Sequence, residues 1–176
     1  MTEQQKNSLL FKIAETRKNQ MYFFVFALLS VAVMVAIFIF SSQTAENSAA
    51  LSNEFNGFLE KLLNSFKWLF SEDITLWIKT YIRKIAHFVL YTLLGVFLSS
   101  AAFNTRIKKL LTKLYLSAGI GVFYSITDEI HQLFIKGRSG EVRDVLIDFS
   151  GVLCGIVFAV LAYKIIQIIA KNCKKA

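Results

Sequence analysis

The chain has 176 residues, of which 55% are hydrophobic and none is proline, and its formal net charge is +8. A mean hydropathy of +0.52 excludes an ordinary soluble domain and indicates several membrane spans. The positive charge then points to cytoplasmic loops and anionic lipid surfaces, not to nucleic acid, and the two cysteines, Cys154 and Cys173, fit neither a metal motif nor a disulfide framework.

Residues 1–20 form a tail carrying Lys6, Lys12, Arg17 and Lys18. The run Met21–Phe40 is almost wholly apolar. It exceeds a signal-peptide core of about 7–15 residues, and no small-x-small cleavage site follows it, so it reads as a retained first span. In the next stretch Phe55, Phe58, Leu59, Leu62, Leu63, Phe66, Leu69 and Phe70 recur at helical spacing, with Glu54, Lys61, Asn64 and Lys67 between them. That pattern predicts an amphipathic helix over about 48–70, too polar to span. Trp68, Trp77 and Tyr81 suit a membrane–water boundary. The helix either lies on the outer leaflet or rests against the bundle as a lid, and simple packing over the first span explains the pattern equally well.

Three further spans follow, over about 85–103, 110–134 and 145–170, before a basic tail over 171–176. The expected fold is an all-α integral membrane bundle, a single domain over 21–170 with four transmembrane helices and an extracellular amphipathic helix. Basic residues set its orientation. The N-terminal tail, the link holding Arg106, Lys108 and Lys109, and the C-terminal Lys171, Lys174 and Lys175 all fall on one side of a four-span protein. The positive-inside rule makes that side cytoplasmic, with both termini inside the plasma membrane.

This topology gathers the polar residues. Residues 125–151 hold five of the twelve acidic side chains and one of the two histidines, between two apolar runs. Charged groups in hydrocarbon cost about 2.5–3.5 kcal/mol each on insertion scales, so they are kept for a reason. Span one leaves at Ser41, Ser42 and Gln43; span two enters from outside with Lys84, His87 and Tyr91 at its outer end; span three leaves with Asp128, Glu129, His131 and Gln132; span four re-enters with Asp144 and Asp148. All lie at one depth. On a helix, Lys84, His87 and Tyr91 share one face, and so do Asp128, His131 and Gln132, with Glu129 about 100° away. Gly151 and Gly155 give span four a close-packing stripe, which Ser117, Gly119 and Gly121 of span three are placed to meet.

The chemistry follows from residue type. Asp144 and Asp148, one helical turn apart, suit a hard divalent cation such as Mg²⁺ or Ca²⁺. His87 beside a carboxylate suits a general base or nucleophile. Arg138 and Arg143 suit a phosphate or carboxylate clamp. Singly, each residue has a plainer reading. His87 fits a helix–helix hydrogen bond, Asp148 a partner for Arg143 or Lys84, and Arg138 an interfacial anchor. Their common depth favours a shared site.

Phe40-Ser-Ser-Gln43, Lys84-Ile-Ala-His-Phe-Val-Leu-Tyr91, and Asp128-Glu-Ile-His-Gln132 followed by Gly137-Arg138 and Asp144-x-x-x-Asp148-x-x-Gly151 together resemble the VanZ-like family, over roughly 21–165. Thr44 departs from the pattern, standing where many members carry proline. The family takes its name from a protein linked to low-level resistance to the glycopeptide teicoplanin. Its domains are grouped by sequence with membrane enzymes that exchange or hydrolyse lipid head groups. The resemblance implies an active-site set of His87, Glu129, Arg138, Asp144 and Asp148.

The expected activity is at the outer leaflet, on the phosphate head group of a membrane lipid or lipid-linked cell-wall precursor. His87 is the base or nucleophile, Glu129 orients it or relays its proton, and Arg138 holds the phosphate. Asp144 and Asp148 hold a divalent cation or a polar head group. Lys84, Tyr91, Asp128, Gln132 and Arg143 bind substrate around them. The alternative is a non-catalytic protein that binds a lipid or glycopeptide and limits drug access. Transport is disfavoured, because the inner half of the bundle offers only Ser117, Tyr163 and Lys164.

Overall fold

The computed structural model describes the backbone of residues 3–65 and 72–173, with side chains at all of these except 9–12, 55–56, 58–65 and 72–80. Among the described residues there are five helices and no strand: α1 (Glu3–Ser41), α2 (Ala45–Ser65), α3 (Glu72–Phe103), α4 (Leu110–Gln132) and α5 (Val142–Cys173). With no proline to interrupt them, helices run past the apolar segments. Thus α1 starts within the polar tail, and α3 starts well before the second apolar run. Four helices are long and apolar enough to cross a membrane, at Glu3–Ser41, Tyr81–Phe103, Leu110–Gln132 and Val142–Cys173. Their outer surfaces carry exposed Phe24, Leu28, Phe123 and Ile166, as surfaces in contact with lipid do.

The expected amphipathic helix is present as α2. Thr44, the departure from the resembled pattern, caps it: Oγ1 accepts the Asn47 N–H at 3.3 Å. The side chains from Phe58 to Leu63 and those of Phe55 and Trp77 lie outside the described residues, as do Phe66, Trp68, Leu69 and Phe70 and the tail residues 174–176.

The core joins Ile37 of α1, Tyr91 and Leu94 of α3, and Val152 and Ile156 of α5. Here the small-residue stripe finds a different partner from the one its sequence suggested. A Cβ on Gly151 would sit 2.6 Å from the Phe88 carbonyl oxygen, and one on Gly155 would collide with the Thr92 carbonyl oxygen, both on α3. Gly95 of α3 reciprocates, since its missing Cβ makes room for the Val152 carbonyl. The two backbones approach this closely because all three positions lack a side chain. From α4, Gly121 packs on the Val152 side chain while Gly119 faces open space. Val152 is therefore clasped between α3 and α4, and it fixes the rotation of α5 about its axis.

The ends of the bundle differ. At one end Lys113 Nζ of α4 donates to the Phe103 carbonyl of α3 at 2.9 Å. At the other, α1 and α4 finish where the first turns of α5 and the middle of α3 begin, and the Leu133–Glu141 link closes over them. Gly137 takes a φ of +76° there, which glycine adopts without steric cost. The Ala45 N–H donates to the Lys136 carbonyl at 3.3 Å, so the start of α2 is docked on this link.

Candidate functional site

His87 sits at the centre of this second end. Its Nδ1 is 3.8 Å from Asp148 Oδ1 of α5 and 4.0 Å from Asp128 Oδ2 of α4. These separations exceed a formed hydrogen bond. Asp148 is 1% exposed and Asp128 4% exposed, so both carboxylates are held away from water and need partners. Asp128 Oδ2 accepts the Ser41 hydroxyl at 2.9 Å and Gln132 Nε2 at 3.4 Å. Asp148 Oδ2 has no partner among the described residues.

A polar cavity of about 120 Å³ opens beside the imidazole, walled by Arg83, Lys84, Glu129, Gln132, Arg138, Asp144 and Asp148, together with Ser139 and Glu141. Lys84 Nζ donates to Asp144 Oδ1 at 2.5 Å and lies 3.9 Å from Glu141. Glu129 accepts Gln132 Nε2 at 3.0 Å and the Glu141 N–H at 3.0 Å. Arg138 Nε and Nη2 donate to the Gln43 and Phe40 carbonyls, at 3.2 and 3.3 Å, and Nη1 reaches Gln132 Oε1 at 3.5 Å. Burial lowers the affinity of its guanidinium for the proton, yet an arginine keeps its charge at neutral pH.

The structure thus brings together most of the sequence-derived set. Lys84, His87, Asp128, Glu129, Gln132, Arg138, Asp144 and Asp148 share one end of the bundle. Four placements differ in detail from the sequence-based expectation. The groups facing His87 Nδ1 are Asp128 and Asp148, whereas both Glu129 oxygens are engaged by Gln132 and the Glu141 amide. Tyr91 is fully buried, stacked at 6.4 Å from His87 and tilted at 6.2 Å from Tyr124, outside the cavity lining. Arg143 is exposed and also outside the lining. His131 turns to α1, where it stacks on Phe38 and lies 3.1 Å from the Ser42 hydroxyl.

Sequence reasoning gave no site role to Arg83, Ser41 or Gln43. Arg83 neighbours Lys84, and Ser41-Ser-Gln43 ends the first span at the depth of the other polar residues, but depth alone does not say which side chains they meet.

The donor set for a cation also differs from the i,i+4 pair. His87, Asp128 and Asp148 each offer one ligand atom, all within 4.8 Å of one another, while Asp144 is bonded to Lys84. One imidazole nitrogen with two carboxylate oxygens suits a borderline cation such as Zn²⁺ better than Ca²⁺, which takes 6–8 oxygens. The unpartnered Asp148 Oδ2 fits such a ligand role.

Four helices long and apolar enough to cross a membrane, with buried charged residues at one end, define a multi-pass membrane protein. The chain belongs to the VanZ/LLP1 family, whose model matches residues 26–163, most of its length. No curated protein and no solved structure matches it.

Proposed function

We propose that this VanZ-family protein acts at the outer face of the plasma membrane on the phosphate head group of a lipid or lipid-linked cell-wall precursor, and through it contributes to glycopeptide (teicoplanin) tolerance. One observation carries the reading: His87, backed by two buried carboxylates, adjoins a cavity walled by Arg83, Lys84 and Arg138. An imidazole held on one side by carboxylates is the usual arrangement for a general base, and cations beside it stabilise the charge of a phosphoryl transition state.

In this mechanism Asp128 and Asp148 hold the Nδ1 proton of His87, so that Nε2 carries the lone pair. Nε2 takes the proton of an attacking water or alcohol as its oxygen bonds to phosphorus. The bond from phosphorus to the leaving oxygen breaks, and the imidazolium returns its proton to that oxygen. Arg138, Arg83 and Lys84 neutralise the phosphate. Lys84 must exchange part of its Asp144 contact for the substrate. Glu129 and Gln132 position Arg138 and the link that carries it.

The test uses the purified protein in nanodiscs containing phosphorus-labelled lipid phosphates. Head-group release that disappears in His87→Ala supports the enzyme. Release that persists in the variant overturns it. Binding without release in the wild-type protein supports the non-catalytic alternative.

A further inference from the structure

The polar cavity has an apolar neighbour. A chamber of about 560 Å³ lies between the end of α1, the first half of α2 and the outer turns of α3. Phe40, Leu51, Ile82, Ala86, Val89 and Leu90 form its apolar walls. Its size falls within the range of about 300–1,000 Å³ usual for small-molecule sites.

The two spaces adjoin at three shared residues: Arg83, His87 and Arg138 line both. The residues that would meet a phosphate therefore stand at the junction of a polar and an apolar compartment. A water-soluble phosphate would have no use for the second. An amphiphile with a phosphate at the head of a hydrocarbon chain matches both, and the cations at the junction complement its charge. The docking of α2 supports the same match. Ala45 donates to the Lys136 carbonyl, and Gly137 lies against the Ala45 side chain, so the helix that roofs the apolar chamber is tied to the link that carries Arg138.

We propose that the apolar chamber holds the head-proximal hydrocarbon of the phosphate-bearing lipid whose head group enters the polar cavity, with α2 as its outer wall. This rests on the head-group reading above, and it assigns α2 to recognition of the chain.

Binding of dodecyl phosphate, ethyl phosphate and dodecanol to the full-length protein in detergent separates the two ideas. Wild-type protein is expected to bind dodecyl phosphate at least tenfold more tightly than either of the others. Ala86→Trp, which fills the chamber, and Leu51→Asn, which makes it polar without filling it, are each expected to erase most of that advantage while ethyl phosphate affinity stays unchanged. An unchanged dodecyl-to-ethyl ratio in both variants, each confirmed folded by its unfolding transition, overturns the chamber assignment and leaves the head-group site standing. Dodecanol binding as tightly as dodecyl phosphate also overturns it, by making the chamber a general apolar groove. If neither phosphate binds wild-type protein, the head-group reading fails and the chamber proposal fails with it.

Discussion

His87 Nδ1 lies 3.8 Å from Asp148 Oδ1, and the second oxygen of that carboxylate is buried with no partner among the described residues. A carboxylate in this state contributes little to folding, because its desolvation is only partly offset. In the proposed mechanism it orients the imidazole. Asp148→Asn is therefore expected to lower the turnover number by about 10²–10⁴-fold through loss of the correct tautomer. KM and the unfolding temperature should hold. A fall in unfolding temperature with unchanged turnover would assign Asp148 to packing instead.

The same nitrogen belongs to a group of three residues whose ligand atoms lie within 4.8 Å of one another, which predicts a sensitivity to metal. A cation bound by Nδ1, Asp128 and Asp148 would leave the proton on Nε2, and the ring could no longer act as a base. Zn²⁺ is expected to inhibit head-group release, and a chelator to restore it. Asp128→Asn should weaken zinc binding, read by calorimetry, at least tenfold. Asp144→Asn should not, since Asp144 is bonded to Lys84. Equal losses in the two variants would return the cation to the Asp144–Asp148 pair.

Ser41 is fully buried and its hydroxyl donates to Asp128 Oδ2 at 2.9 Å. Ser41→Ala removes the donor and leaves the anion in place, which costs about 1–3 kcal/mol for a buried unsatisfied group. Thermal unfolding in detergent should show the loss, and Ser41→Thr should recover part of it. No change on Ser41→Ala would mean that Gln132 alone satisfies Asp128.

Helix packing has an internal control. A methyl group on Gly155 would meet the Thr92 carbonyl oxygen, whereas one on Gly119 meets nothing within 4 Å. Gly155→Ala is expected to destabilise by about 1–3 kcal/mol or more, as overpacking does, and Gly119→Ala to be neutral or slightly stabilising through helix propensity. Matching unfolding temperatures for the two variants would show that α3 and α5 separate more easily than their contacts imply.

Orientation is tested at Ser139, which is exposed on the Leu133–Glu141 link. In a Cys173→Ser background, Ser139→Cys should react with a membrane-impermeant thiol reagent on intact cells. The exposed native Cys173, at the other end of the bundle, should react only after lysis. The reverse pattern would place the cavity on the cytoplasmic side.

Much of this molecule is written in the order of its residues. Apolar runs of bilayer length dictate four spanning helices, because backbone polar groups in hydrocarbon must be satisfied within the segment. Charges that are costly to keep in hydrocarbon single out one end of the second, third and fourth spans. What sequence does not contain is the rotation of each helix about its own axis. Periodicity places Asp128 and Glu129 about 100° apart on α4, but it cannot say which of them faces His87.

Tertiary packing decides that. Gly151 and Gly155 seat α5 on the backbone of α3, Val152 is clasped between Gly95 and Gly121, and Ser41 reaches Asp128 from α1. With those contacts made, Asp128 and Asp148 turn to the imidazole, Asp144 turns to Lys84, and Tyr91 is sealed beneath. The apolar chamber under α2 is likewise a product of assembly, since its walls come from three helices that share no spacing rule. Sequence by itself determined the spans and most of the polar residues gathered at one end of them; close backbone contact at glycines determined which of those residues meet.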